Sequence, residues 1–185
     1  MNGYFLKHVF AFVSCSLRIS HWECWAFRWS ICNTECDKQV LFADKVLKFT
    51  SSGKMKRRIL LITDFALYLV DPESDALKRR IALAAVEKMC MSELCDNFVA
   101  IIIPTEYDLL MASTRKTEIV TVLVETAKSA SDYDLEVAFS NRFEYNAAAD
   151  LVKEIQFEEV EDSAGLALLI AKIVHYPSHV EVLLG

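Results

Sequence analysis

From residue 40 onward, short apolar runs alternate with turn-forming residues, a pattern typical of β-strands. The first run ends at Phe49, and Ser51-Ser52-Gly53 then supplies a turn, because glycine adopts positive φ without steric cost. The runs that follow are Ile59–Thr63 and Ala66–Val70, joined by a turn at Asp64-Phe65. The pattern predicts a meander whose first hairpin has Lys and Arg residues at its tip.

Further strands and one long helix are predicted beyond this meander. The predicted strands are Leu77–Ala82, Lys88–Ser92, Phe98–Ile103, Tyr107–Met111, Leu135–Phe139, Phe143–Asn146 and Ile155–Phe157. A helix is predicted from Arg115 to about Lys128, with one face made of Ile119, Val122, Leu123, Thr126 and Ala127. Many short strands and one amphipathic helix indicate a mainly β member of the α+β class, an antiparallel barrel or curled sheet.

Residues 1–36 differ in composition from the rest and form an unassigned leader, with all three Trp and four of the six Cys residues. The 3-4-3-4 spacing of Trp22, Trp25, Trp29, Cys32 and Cys36 predicts a striped helix. Such a helix either docks onto the domain or lies in a membrane interface. The candidate zinc ligands are His21, Cys24, Cys32 and Cys36. They lack a paired CxxC, so no metal site is predicted.

Both ends of the chain also raise the question of membrane segments. Residues 1–17 have the layout of a weak signal peptide, but the apolar core is short, and secretion is not expected. Residues 161–185 form an unassigned tail that contains the apolar run Ala164–Val174. This run is too short to span a bilayer, so a docked helix is predicted there.

Charge is distributed unevenly along the chain. The segment from Lys45 to Arg80 holds nine Lys and Arg residues against four acidic residues, a net charge of +5. Since the whole chain carries −6, the remainder carries −11. Such asymmetry orients a protein at a negatively charged surface.

The sequence argues against an enzyme. The chain has four Gly residues and no glycine-rich phosphate loop of either common type. All four His residues, at positions 8, 21, 175 and 179, lie near the two ends of the chain. A histidine-centred triad would need those ends to fold over the middle of the chain. No catalytic residue and no cofactor are therefore predicted.

Several separated motifs resemble the tail homology 1 domain of class I myosins. The motifs near the hairpin are Leu41-Phe42, Asp44-Lys45-Val46, Lys48-Phe49, Gly53, Arg58, Leu60–Asp64 and Asp71-Pro72. Those further along are Leu77–Ile81, Ser92–Phe98, Tyr107–Leu110 and Arg115–Glu118. The resemblance covers residues 37–160. It implies a pleckstrin-homology-like barrel with the helix packed against an open end, and no motor or ATPase activity.

The resemblance also implies a site for lipid headgroups. In this family a Lys of the first strand and a basic run in the second strand hold headgroup phosphates, and these positions are Lys48 and Lys56-Arg57-Arg58 here. Lys45 and Lys54 are expected to support them from outside. Arginine suits phosphate because its planar fork donates two hydrogen bonds.

The sequence thus predicts a peripheral membrane-binding module of the cytoplasm that recognises anionic phospholipids, with phosphoinositides expected. The alternative is a non-catalytic adaptor on the same scaffold, with a cytoskeletal or other protein partner. A solvated sheet edge protected by lysines would explain the same residues without any ligand. Nucleic acid is disfavoured by the acidic remainder and by the absence of interleaved aromatic residues.

Overall fold

The structure of the protein is a computed structural model that describes residues 39–131, 134–161 and 167–175. The strands are β1 Val40–Phe49, β2 Met55–Thr63, β3 Ala66–Val70, β4 Leu77–Ala82, β5 Lys88–Met91, β6 Phe98–Ile102, β7 Leu109–Ala112, β8 Glu136–Phe139, β9 Arg142–Ala148, β10 Leu151–Glu161 and β11 Ala167–His175. The helix α1 is Lys116–Ser131, and a short 3-10 turn, Leu83–Ala85, follows β4. The leader, with its predicted helix and candidate zinc ligands, lies outside the described residues.

The chain divides into two compact units, and the strands β1 and β2 contribute residues to both. Among the described residues, the first unit contains 39–46 and 57–83. The second contains 47–56 and the described residues from 84 onward.

In the first unit the strand order is β4-β3-β2-β1. The strand β3 is buried at every residue and pairs antiparallel with β2 and β4, so its continuous apolar run lies at the centre of this unit. Thr63 closes the turn before it, because its hydroxyl accepts a hydrogen bond from the Ala66 N–H at 3.0 Å and donates one to the Ala66 carbonyl at 3.1 Å. The turn predicted at Asp64-Phe65 is therefore present.

In the second unit the strand orders are β1-β7-β6-β5-β8 and β11-β10-β9. The pairs are antiparallel except for β5 and β8, which run parallel, with Lys88 opposite Glu136. This parallel pair is a local departure from the antiparallel barrel or curled sheet that the sequence predicts. A parallel pair needs a long connection, and the chain between β5 and β8, which includes α1, supplies one.

The helix α1 buries the face that its spacing predicts. Ile119, Leu123, Thr126 and Ala127 are buried, Val122 is half-buried, and Val120 is buried in addition. Among the described residues α1 is the one α-helix, and it lacks the length and hydrophobicity needed to cross a bilayer. The predicted fold class, mainly β with one long helix, is confirmed, and the sheets are open.

The apolar run in the tail differs from the expectation. Residues 167–175 form the strand β11 rather than a docked helix, and β11 pairs with β10 over nine consecutive positions, from Ala167 opposite Glu161 to His175 opposite Lys153. The salt bridge between Lys172 and Glu158, at 2.6 Å, joins the two strands. An apolar run of this length suits either a helix or a strand, and here the edge of β10 offers backbone hydrogen bonds that favour the strand.

Candidate functional site

The turn between β1 and β2 is held by Thr50. The Thr50 N–H donates to the Lys54 carbonyl at 2.9 Å, and the Gly53 N–H donates to the Thr50 carbonyl at the same distance. The Thr50 hydroxyl accepts from the Lys54 N–H at 3.1 Å and donates to the Lys54 carbonyl at 3.0 Å. Gly53 has a φ of 79°, which confirms the role predicted for it. The tip of the hairpin is thus a closed turn that fixes where the flanking lysines emerge.

The tip residues, which belong to the second unit, present charge and one apolar side chain. Lys54 and Lys56 are exposed, and Met55 between them is 60% exposed. Lys48 is half-buried, and its ammonium lies 5.1 Å from the centre of the Tyr107 ring, in cation–π contact. Lys54 and Lys56 therefore face solvent, whereas Lys48 is held against the ring of Tyr107.

The remaining basic residues of the predicted site belong to the first unit. Lys45 and Arg57 are exposed. Arg58 is half-buried, donates to the Arg57 carbonyl at 2.6 Å and lies 3.4 Å from the Asp71 carboxylate. The backbone N–H of Glu73 lowers the pKa of Asp71, with the positive charge of Arg58 as a further cause, so this carboxylate is a stable partner. Arg58 thus has a structural contact in addition to any ligand.

A cavity of about 240 Å³ lies in the second unit beside the hairpin tip. Its walls include Lys48, Tyr107, Asp108, Tyr145 and the carboxyl end of β1 with its turn. The Asp108 carboxylate is already occupied, because its two oxygens accept the N–H groups of Ile103 at 2.7 Å and Asn146 at 2.6 Å. Sequence reasoning missed this cavity, since its walls come from segments far apart in the chain.

Sequence reasoning also missed Lys153 as a buried charged residue of the second unit. Its side chain is fully buried, and its ammonium donates to the carbonyl of Ser51, which lies in the cavity wall. Burial lowers the pKa of Lys153, because the charged form is the one that loses hydration. A signal was present in the sequence: Lys153 precedes Ile155 and Phe157 at a spacing of two, which places it on the buried face of β10.

These groups can bind anions. Exposed ammonium and guanidinium groups on a fixed hairpin donate several hydrogen bonds to phosphate or carboxylate. In the part of the chain that the structure describes, no three His, Cys, Asp or Glu residues lie close enough together to hold a metal ion. The fold and the closed turn between β1 and β2 thus define a class of protein: a mainly β module with a basic hairpin.

The chain matches the family described as "Unconventional myosin tail, actin- and lipid-binding" over residues 23–172. Because this match covers most of the chain, the protein belongs to the myosin tail homology 1 family, and the resemblance seen in its motifs is confirmed. The match extends beyond residues 37–160 at both ends and so takes in part of the leader and most of β11. The family is that of the tail, so no motor activity follows from the match.

Two relatives and one solved structure illustrate the similarity. Myosin IB heavy chain of Dictyostelium discoideum is 33% identical over 142 residues, which are 74% of this chain and 13% of that protein. Myosin heavy chain IB of Acanthamoeba castellanii is 33% identical over 129 residues, 66% of this chain and 11% of that protein. The chain therefore spans a small part of either relative. The hSac2 domain from human phosphoinositide phosphatase Sac2 aligns with a TM-score of 0.47 and 17% identity, over 66% of this chain and 91% of that domain.

Proposed function

We propose that the protein is a non-catalytic, peripheral membrane-binding module of the cytoplasm that recognises anionic phospholipids, phosphoinositides above all, through its basic hairpin. The proposed headgroup-binding residues are Lys45, Lys48, Lys54, Lys56, Arg57 and Arg58. The observation that carries the proposal is the exposure of Lys54 and Lys56 on a closed turn, in a chain that belongs to a family described as lipid-binding.

The size of the electrostatic attraction supports reversible attachment. Each basic residue near an anionic leaflet contributes about 1 kcal/mol, so five or six such residues give roughly 5 kcal/mol before costs are subtracted. Arg58 contributes least to this sum, because Asp71 already neutralises much of its charge. Attraction of this size is weakened by salt and is far below that of a membrane-spanning anchor.

Met55 adds an apolar contact to the same tip. It is 60% exposed and lies between two exposed lysines. At a membrane surface, lysine ammonium groups remain at the headgroups while a neighbouring apolar side chain enters the acyl boundary. Met55 would therefore contribute an apolar part of the membrane affinity, and this part is not weakened by salt.

Co-sedimentation with vesicles tests the proposal. The full chain is mixed with vesicles of phosphatidylcholine alone, with added phosphatidylserine, or with an added phosphoinositide, each at low and at physiological salt. We expect binding to both anionic vesicles, stronger with the phosphoinositide at equal vesicle charge, and weakened by salt. Sedimentation that is equal with neutral and anionic vesicles, or absent even at low salt, overturns the proposal.

Matched charge variants then locate the site. Lys54→Ala with Lys56→Ala removes two charges from the tip, whereas Lys128→Ala with Lys172→Ala removes two exposed charges elsewhere in the second unit. We expect the first pair to reduce binding to anionic vesicles by about thirtyfold, since two charges contribute about 2 kcal/mol, and the second pair to change it little. An equal effect of the two pairs would show that only total charge matters.

The description of the family also names actin, so a cytoskeletal contact is the second candidate function. Co-sedimentation with filamentous actin, using the same two pairs of variants, separates the possibilities. Actin binding that survives Lys54→Ala with Lys56→Ala while vesicle binding is lost would place the two functions on different surfaces. Actin binding without any vesicle binding would favour the protein-interaction adaptor.

A further inference from the structure

The sheet of the first unit is apolar on both faces where β2 and β3 pair. Residues directly opposite each other in an antiparallel pair share a face, and so do residues two positions apart on one strand. One face, here called the Tyr68 face, consists of Ile59, Leu61, Ala66, Tyr68 and Val70. The alternate residues of the same two strands form the opposite face.

The Tyr68 face is hidden from solvent almost completely. Ile59, Tyr68 and Val70 are each 1% exposed, and Ala66 is 0% exposed. The alternate residues on the opposite face are buried as well. An antiparallel sheet commonly has one solvated, polar face, whereas continuous apolar strands are typical of a sheet that is covered on both faces. The first unit therefore has a cover on the Tyr68 face.

Arg80 of β4 supplies a part of this cover. It lies directly opposite Tyr68, with its guanidinium 5.7 Å from the centre of the Tyr68 ring, and donates to the Tyr68 hydroxyl at 3.1 Å. Arg80 is itself exposed, so it lies at the rim of the face. Among the described residues, the apolar cluster on this face is made of residues of β2 and β3 themselves. One arginine shields the ring of Tyr68 and leaves Ile59 and Val70 for another segment.

The leader has the composition and the length that the cover needs. Its predicted stripe consists of Trp22, Trp25, Trp29, Cys32 and Cys36. Each Trp can bury roughly 150–250 Å² of surface. A helix over residues 22–36 would be about 22 Å long at ~1.5 Å per residue, and four strands at ~4.8 Å spacing span about 14 Å. One such helix is therefore long enough to cross the sheet.

The leader also joins the first unit beside this sheet face. Gln39, which directly precedes β1, donates its N–H to the Asp64 carboxylate and accepts the Asp64 N–H at its carbonyl, both at 3.3 Å. Asp64 lies in the turn between β2 and β3, so the leader ends at one end of the two strands that carry the Tyr68 face. The family match begins at residue 23, so most of the stripe belongs to the region that the chain shares with the family.

We propose that residues 22–36 dock as a helix on the Tyr68 face and that their tryptophans bury it. The stripe is then an internal packing surface rather than a membrane helix, and the module begins near residue 22 instead of residue 37. The inference goes beyond the proposed function and does not rest on it, because it concerns the cover of the first unit, whereas membrane contact is left to the hairpin between β1 and β2.

Photo-crosslinking of the full chain tests this contact directly. Benzoylphenylalanine takes the place of Leu61, which is half-buried on the Tyr68 face, or of Phe139, which is 59% exposed in the second unit and serves as the control. After digestion with trypsin, the three Trp residues lie in the peptides 19–28 and 29–38. We expect these peptides to be joined to position 61 and not to position 139. Crosslinks from position 61 to residues 176–185, or to a second copy of the chain, in place of the leader overturn the proposal.

Tryptophan fluorescence gives a second readout, because all three Trp residues lie in the leader. Acrylamide should quench the folded chain less than the chain unfolded in urea, since docking packs the indole rings against the sheet. Leu61→Glu should raise the quenching about twofold or more, because a carboxylate under the helix is costly to bury, whereas Phe139→Glu should not change it. Circular dichroism checks that both variants keep their strands. Equal quenching of the folded and unfolded chains overturns the proposal.

Vesicles keep this inference separate from the proposed function. Phosphatidylserine vesicles that sediment the chain should leave the emission and the quenching of its tryptophans unchanged, because the hairpin makes the membrane contact. Emission that moves to shorter wavelength, with weaker quenching, when vesicles are added would place the stripe in the membrane and overturn the docking. Absence of vesicle binding refutes the proposed membrane function alone.

Discussion

At the scale of single residues, Asp108 is the strongest candidate for a structural anchor in the second unit. It is 4% exposed, and its carboxylate accepts the backbone N–H groups of Ile103 and Asn146. Asp108→Ala leaves both N–H groups without an acceptor, and each such loss costs about 1–3 kcal/mol. We expect the free energy of unfolding to fall by about 3 kcal/mol, measured by urea denaturation followed by circular dichroism.

Asp134→Ala is the matched control for this change. Asp134 is 84% exposed and forms a surface salt bridge with Lys128, so its removal should change stability by less than about 0.5 kcal/mol. If Asp108→Ala and Asp134→Ala unfold at the same urea concentration, the two backbone bonds to Asp108 contribute nothing measurable.

The second prediction at this scale concerns the stability of the protein in alkali. Burial raises the pKa of Tyr145 to about 12, whereas the ordinary value is 10.0. Between these values the unfolded chain loses the phenol proton and the folded chain keeps it, so the folded state binds more protons and stability falls as pH rises. We expect this fall between pH 10 and 12, and a shallower slope in Tyr145→Phe, measured by urea denaturation at several pH values. Identical slopes would show that Tyr145 titrates normally.

At the scale of elements, the hairpin turn depends on the backbone of Gly53. Its φ of 79° is strained for residues with a side chain, although a Cβ there would meet no atom within 4 Å. Gly53→Ala should therefore destabilise the turn by about 1 kcal/mol through backbone strain alone. Gly53→Asn should cost less, because asparagine tolerates this conformation. Urea denaturation checks both variants, and equal losses in the two would mean that φ is not the cause.

The strands and turns near this hairpin were predictable because each has a local cause. The Ser51-Ser52-Gly53 turn and the turn at Asp64-Phe65 depend on residues within a few positions of each other. The strand β11 was not predictable, since only its nine-residue pairing with β10 selects a strand over a helix. The parallel pairing of β5 with β8 is likewise set by residues about fifty positions apart.

The same contrast holds for the candidate site. The exposure of Lys54 and Lys56 follows from their place at a turn, and the sequence predicts it. The contact between Lys48 and Tyr107 joins segments that are distant in sequence, and no local pattern indicates it. The salt bridge between Arg58 and Asp71, in contrast, lies next to the Ile59–Val70 pair of the predicted β2–β3 hairpin. Lys153 lies outside the predicted strand Ile155–Phe157, but β10 is longer than predicted and buries it.

At the scale of the whole molecule, the distribution of charge determines how the chain behaves near a membrane. The whole chain carries −6, yet residues 45–80 carry +5, so the remaining residues carry −11 and are repelled by an anionic leaflet. Attraction of the basic segment and repulsion of the remainder are both screened by salt. Attraction should dominate, because the basic hairpin can come into contact with the leaflet. Most acidic residues then stay farther from the leaflet, where salt screens their repulsion.

Salt dependence tests this balance. From about 0.01 M to about 0.15 M salt, the Debye length falls from about 30 Å to about 8 Å. We expect the dissociation constant for phosphatidylserine vesicles to rise about tenfold over this range, which is about 1.4 kcal/mol of the roughly 5 kcal/mol of gross attraction. The slope should be smaller for Lys54→Ala with Lys56→Ala, because fewer charges then face the leaflet. Binding that strengthens as salt is added would instead mean that repulsion of the acidic remainder governs the approach, and Met55 would then be the contact that holds the protein on the membrane.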